Sequence, residues 1–395
     1  MPTLRGSAIG LVLGTTLLLL PSARADEADV RWVLSGEARL RPEWRDNADL
    51  DAAADDDSRL GFMRLRVGFE AIVRKDYRLF VQAQDSRIAG EETSTASDQK
   101  NLDLHQGLLD ITLTASRRLS LTVGRQEWSY GDERLIGAFG WDNVGRAFDG
   151  ARLRYALPRF RLDGLWARIS SVTTGAATTG SDLYGAYAQA APRPGAEYEG
   201  YWLEFADHLA APGETGATGD TRIDALGGRV KDRYGRLDLR AEAVMERGHE
   251  QGDSLSAFAA GAQAGLSWGQ ATTLRPFGGY DYASGDRDPA DGRRQEFFNF
   301  FPTNHPHYGY IDYEGWRNLR SYYGGISVTR GRHFAQAKVH HFGLQKARGP
   351  WKSAGGAVLG FDPTGRSGTS VGREIDLTYR YAWRRGLSLE AGYSR

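Results

Sequence analysis

The chain of 395 residues has no cysteine, no net charge and, after its first twenty residues, no long apolar run. The first absence excludes a disulfide framework, a thiolate metal site and a cysteine nucleophile. The second, 50 Lys and Arg against 50 Asp and Glu, removes any whole-chain field that would favour nucleic acid. Electrostatic function must then come from how charge is segregated. The third excludes a bundle of membrane helices, each of which needs about 20 consecutive apolar residues.

What is present begins with an export signature. Arg5 precedes the apolar stretch Ala8–Leu20, which is too short to cross a bilayer, and "PSARA" puts small residues at Ala23 and Ala25 in the A-x-A spacing. Residues 1–25 read as a cleaved signal peptide. Residues 26–395 read as one exported domain with 48 basic and 50 acidic groups, net −2.

In this domain apolar and polar residues take turns. Val30, Trp32, Leu34, Gly36, Ala38 and Leu40 alternate with Arg31, Val33, Ser35, Glu37, Arg39 and Arg41, which in a strand gives one apolar and one charged face. Leu237–Glu246 and Glu374–Trp383 repeat the pattern, and about seventeen strands can be read this way. A soluble sandwich also alternates, so loop lengths decide. Tight connections at Arg74–Tyr77, Ser116–Leu119, Leu157–Phe160, Lys231–Gly235, Trp268–Thr272, Thr329–His333 and Arg384–Leu387 are separated by long ones. The long ones are Asp46–Leu60, Ser86–Asp103, Trp128–Ala147, Ser171–Asp182, Leu209–Thr221, Arg247–Leu255, Ser284–Ser321 and Lys346–Ser370. Short periplasmic turns facing long external loops are the pattern of an all-β, antiparallel, up-and-down transmembrane barrel. Tyr77, Tyr155, Phe160, Tyr234, Trp268, Phe334 and Trp383 recur beside the short turns, where an interfacial girdle belongs. A mean hydropathy of −0.50 is compatible with this, because only the outward face meets lipid.

Bacterial barrels close with an even number of strands. The seventeenth strand, "LSLEAGYSR", runs outward and ends at Arg395. The count therefore predicts a chain one loop and one strand short, with a gap or a strained closure between first and last strands. An open edge in lipid would leave backbone groups unsatisfied at a large cost.

One stretch stands apart. Residues 124–155, "GRQEWSYGDERLIGAFGWDNVGRAFDGARLRY", hold five arginines, five acids, six aromatics and six glycines. Placed between two strands, its loop is expected to fold into the lumen, because Phe139, Trp141 and Phe148 gain nothing in water. This stretch resembles the signature of the alginate-export family of outer-membrane porins. "RLRPEWRDNADLDAAADDDS" (39–58) and "FFNFFPTNHPHYGYIDYEGWRN" (297–318) are similar to further family motifs, in the same order. The resemblance implies a barrel of about 18 strands, an arginine-rich lumen and passage of an acidic polysaccharide. It also implies a monomer in a bilayer bearing lipopolysaccharide, working with periplasmic export machinery.

Those expectations fit the charges. Fixed guanidinium groups lower the entry barrier for a polymer with one carboxylate per sugar, and their planar fork matches a carboxylate. Strand parity points Arg39, Arg41, Arg64, Arg66, Arg152, Arg154, Arg240 and Arg275 inward, with Glu37, Glu70, Glu242 and Asp281 as balancing acids. Arg125, Glu127, Arg134, Asn143, Arg146 and Asp149 are the candidates in and beside the loop, although Arg125 shares the phase of Leu121 and Val123 and faces inward only past a bulge. No cofactor is expected. Asp46, Asp49, Asp51 and Asp55 could offer oxygens to Ca²⁺, but their spacing departs from a calcium loop. Neighbouring His340 and His341 point to opposite faces, which argues against a metal shared with His305 and His307. A channel for smaller anionic solutes and, further off, an outer-membrane enzyme are the competing functions.

Overall fold

Backbone pairing decides this architecture. The computed structural model describes residues 7–17, 30–48, 50, 56–91, 101–174, 177–353 and 355–395. Among them eighteen strands of eight residues or more form one closed ring, and no helix occurs. In chain order they are Ser7–Leu17, Val30–Asp46, Ser58–Val73, Tyr77–Ile88, Leu102–Thr112, Leu119–Gln126, Phe148–Leu157, Phe160–Thr174 and Ala177–Ala190. The second half is Glu197–Pro212, Thr218–Tyr234, Leu237–Glu250, Asp253–Leu266, Thr272–Ala283, Leu319–Arg330, His333–Leu344, Ser370–Arg384 and Leu387–Ser394. Each is antiparallel to the next, as in Val30↔Val73 and Leu237↔Leu266.

The seventeen expected strands are all present, but the expected gap is not. Ser7–Leu17 occupies that position, with Ser7 opposite Asp46 on one side and Ala8 opposite Ser394 on the other. Two facing edges full of unpaired N–H and C=O groups favour any extended segment that can bridge them.

Three expected external loops are also absent. The strands flanking Ser171–Asp182 run to Thr174 and resume at Ala177, those around Leu209–Thr221 reach Pro212 and Thr218, and Glu250 and Asp253 are joined by only two residues. These hairpins stand clear of the lipid band, where both faces are wet and polar residues carry the ladder without alternation. The connections that remain long are 47–57, 89–101, 127–147, 284–318 and 345–369.

The inside-out side-chain distribution follows from the pleat. Leu65, Val67 and Phe69 are exposed on the outer face, while Arg64, Arg66 and their neighbours on the same strand are buried inside. Trp32 and Phe69 stack outward at 5.2 Å. Six of the seven girdle aromatics are exposed beside the short turns. Phe334 is the exception: it shares the inward phase of Gln336 and Lys338 and lies under Arg380.

Val230 is exposed on the lipid face two pleat repeats above the girdle residue Tyr234. Val230→Arg should destabilise the barrel by about 2–4 kcal/mol, the cost of a cation at mid-bilayer. Urea unfolding in lipid vesicles measures it; a loss below about 0.5 kcal/mol would place this face away from lipid.

Candidate functional site

The 127–147 segment crosses the inside of the ring. At one end Arg39 donates to the carbonyls of Gly140 (2.8 Å) and Asp142 (2.7 Å), and Arg41 to that of Trp141. Arg64 adds bonds to Gly140 (3.2 Å) and Asp142 (2.9 Å), and Arg66 one to Val144 (3.1 Å). Asn143 donates back to the carbonyls of Met63 and Arg87. At the other end Tyr130 donates to Asp163 (2.7 Å), Asp132 pairs with Arg229 (2.6 Å) and Arg240 (3.5 Å), and Arg134 pairs with Asp281 (3.0 Å). The strands carrying Arg64 and Arg229 are separated by half the ring. The segment is a plug pinned to opposite walls.

Local chemistry allows this path. Gly131 has φ 59°, and a Cβ there would lie 3.0 Å from Tyr187 Oη and 3.1 Å from Arg229 Cδ. Gly145, at φ 80°, would bring a Cβ to 2.8 Å from Arg66 Nη2. Only glycine turns the chain so close to these arginines. Trp141 stacks on His305 at 4.0 Å, with Arg41 4.2 Å from the Trp141 ring centroid, so cation and ring share one column.

The second long connection, 284–318, completes the plug. Ile136 bridges to Phe301, Gly137 N–H donates to Phe301 O (2.9 Å) and Thr303 N–H to Glu133 O (2.8 Å). Arg146 donates to the carbonyls of Gly137 (3.1 Å), Phe301 and Pro302 (2.9 Å). His307 donates through Nε2 to Asp132 O (2.7 Å), Lys338 reaches the carbonyls of Pro306 (3.4 Å) and His307 (3.3 Å), and Ile311 N–H meets Glu374 (2.9 Å). Each bond to a charged group contributes about 1.5–3 kcal/mol.

Charge in the plug is set by burial and partners. Burial opposes ionisation of Asp132, but the Arg229 hydrogen bond and the charges of Arg229, Arg240 and Arg134 hold it below its ordinary range. Burial likewise opposes the charge on Arg134, and Asp281 with Tyr308 outweighs it, raising its pKa. Burial, then Arg134 and Arg240, push His307 well down, so its ring is neutral. Burial lowers Arg146 to about 10, with Asp142 and Glu133 pulling the other way. Glu127 is held below its ordinary value: burial opposes its charge, while His105 and Arg66 favour it.

The expected site residues thus divide. Arg39, Arg41, Arg64, Arg66, Glu127, Arg134, Asn143, Arg146 and Arg240 meet in or around the plug. Arg152 lies on the inner wall with Thr122 (3.3 Å), Arg154 grips Asp163 (2.7 and 2.8 Å), and Arg275 pairs with Asp238 (2.8 Å). Arg125 and Asp149 do not belong. They face each other at 2.7 Å on the outer surface, because the ladder runs through Arg125↔Asp149 with no bulge to change its phase. Of the possible calcium ligands, Asp46 is exposed, and Asp49, Asp51 and Asp55 lie outside the described residues. Among the described residues no three His, Asp or Glu side chains converge as a metal site. Gly368–Gly372 matches G-x-S-x-G spacing, yet Ser370 is exposed and opens a membrane strand, not the strand-to-helix turn that motif requires.

Arg229 and Lys338 escaped sequence reading, and the 284–318 segment, read as an external loop with a family motif and with His305 and His307 weighed only as metal ligands, was not expected inside the ring. Arg229 shares an inward phase with Lys231, and "FFNFFPTNHPH" has the same aromatic density that singled out the first segment, so signals existed for both.

Beneath the plug, toward the short turns, a cavity of about 560 Å³ is lined by Lys231, Arg233, Arg240, Arg275 and Lys338 against Asp232 and Asp238. A closed ring, apolar outside, charged within and filled by its own connections, is an outer-membrane porin-type channel. Its structural likeness to OccK11 (OpdR) of Pseudomonas aeruginosa has a TM-score of 0.55 at 10% identity, covering 98% of this chain and 95% of that one. OccK9 (OpdG) of the same organism (TM-score 0.49, 11% identity, 98% and 96% covered) and Salmonella typhi OmpF in complex with daunomycin (0.46, 10%, 99% and 96%) are more distant likenesses. The chain belongs to the alginate export family, whose model matches residues 31–395. A search of the curated proteins finds no match.

The plug should loosen in acid. His307 has a depressed pKa, so its contribution is full above about 6.5 and is lost as pH falls; Asp132 and Glu127 act in the same sense through the carboxylate range. Glu314, raised by burial, opposes them from the far end of the second segment. Open probability in planar bilayers should rise as pH falls from neutral to below about 4; a flat or falling profile would contradict this.

Proposed function

We propose that this outer-membrane channel conducts an anionic polysaccharide such as alginate outward, with Arg39, Arg146, Arg152 and Lys338 as its primary contacts. The supporting observation is that these four cations hydrogen-bond only neutral acceptors among the described residues. Arg39 holds the carbonyls of Gly140 and Asp142, Arg146 those of Gly137, Phe301 and Pro302, Arg152 the Thr122 hydroxyl, and Lys338 the carbonyls of Pro306 and His307. A carbonyl satisfies the geometry of a guanidinium and leaves its charge uncancelled. A carboxylate arriving there gains a charge-assisted bond about twice as strong as a neutral one.

The route follows from position. The cavity on the short-turn side gathers the polymer, Lys338 and Arg240 hand it to the plug, and sugar carboxylates replace loop carbonyls one at a time on Arg39 and Arg146. Nearby Glu37, Glu43 and Glu127, each already paired with Arg64, Arg41 or Arg66, keep binding weak enough for release. The cavity's size also suits a small carboxylate, so a channel for smaller anions is the second reading.

Arg39→Gln with Lys338→Gln should weaken block of channel current by polyuronate oligomers about tenfold, ~1.4 kcal/mol, while neutral sugars block neither protein. Unchanged block would remove these residues from the path, and block by monomeric carboxylates alone would favour the second reading. Export through a cleaved signal is part of the proposal. Sequencing of the outer-membrane form should start at Asp26, and a retained Met1 would make Ser7–Leu17 an integral strand.

A further inference from the structure

The outer face carries a furrow that transport does not use. It has a volume of about 500 Å³ and crosses four neighbouring strands, from Ile326 and Val328 over Ala335 and Ala337 to Leu377, Tyr379 and Tyr393. Its floor is small: Ala335 lies between Val328 and Tyr379, and Ala337 between Ile326 and Leu377, so each alanine is flanked by two larger side chains of the neighbouring strands. From the rim residue His333 to Ala337, the last furrow residue of this strand, is about 13 Å along a strand, close to the depth of one leaflet of a ~30 Å core.

The periplasmic end of the furrow is basic and aromatic. Arg330 and His333 face each other across the turn, and His333 in turn lies opposite Tyr381. His333 Nδ1 is 2.7 Å from Tyr379 Oη and its ring is 4.8 Å from that of Tyr381, which fixes it at the rim. Arg332 donates to the Trp383 carbonyl at 2.6 Å, and all four arginines of these two turns, Arg330, Arg332, Arg384 and Arg385, are exposed and without an ion pair among the described residues. An apolar furrow one leaflet deep, capped by unpaired guanidinium groups and interfacial aromatics, matches a molecule with a fatty chain and a phosphate.

The geometry points to a binding site for an anionic diacyl glycerophospholipid of the inner leaflet, its chain lying over Ala335 and Ala337 and its phosphate held by Arg330 and Arg332. The short-turn rim places the phosphate on the periplasmic side, away from the lipopolysaccharide leaflet. Two turns and four strands are joined by such a lipid next to the seam of the ring.

The full chain, folded in neutral detergent and offered equal phosphatidylglycerol and phosphatidylcholine, tests this by native mass spectrometry. One phosphatidylglycerol should be retained with about fivefold preference or more. Arg330→Gln with Arg332→Gln should bring the ratio near one, and Ala335→Leu with Ala337→Leu should lower retention of both lipids. Heat-modifiable gel mobility checks that each variant is folded, and either variant alone suffices. Equal retention by the unaltered chain, or a preference that survives the substitutions, would overturn the assignment.

Discussion

A backbone amide in hydrocarbon has no water to fall back on, and that constraint governs everything else in this molecule. Every strand must find two partners, so the sheet closes on itself, and closure fixes which side chains face out. In the uncleaved chain the ring is complete even where an alternating strand runs out, because Ser7–Leu17 pairs with the edges on both sides. Once the ring exists, the pleat sends Leu65, Val67 and Phe69 to lipid and Arg64 and Arg66 inward without further instruction.

Closure creates the second problem, a wide interior lined by charges. Water alone would leave it an open hole. Here the 127–147 and 284–318 segments fill it, and their own carbonyls serve as acceptors for the wall's arginines and Lys338. That choice of partner separates a plug from a permanent seal: buried carboxylate partners throughout would lock the segments in place, whereas neutral acceptors hold them and leave cationic sites able to accept something better. Arg134 with Asp281, and Arg229 with Asp132, Glu197 and Glu199, are ion pairs of the locking kind and anchor the plug's fixed end.

The barrel was legible from residue order because lipid enforces a period of two. Strand phase placed Arg39, Arg64, Arg152 and Arg240 inside, and the same phase already warned that Arg125 faces outward. Where lipid stops, the signal stops: Ser171–Asp182, Leu209–Thr221 and Arg247–Leu255 read as loops because a two-sided polar hairpin above the membrane carries no alternation. Phe334 misled for a related reason, since an aromatic beside a turn suits either face. The identity of the plug's contacts was out of reach. Which carbonyl meets Arg39 depends on how two connections, about 150 residues apart in the chain, meet inside the ring, and periodicity holds nothing about that.

The central claim is that 127–147 blocks the conduit and is held by the wall. Its most direct test is the single-channel conductance of the chain lacking Gly131–Gly145. The account requires a several-fold rise in conductance with anion preference kept, since the wall cations remain. A conductance equal to that of the intact chain would mean the segment does not obstruct the path, and the account would fall.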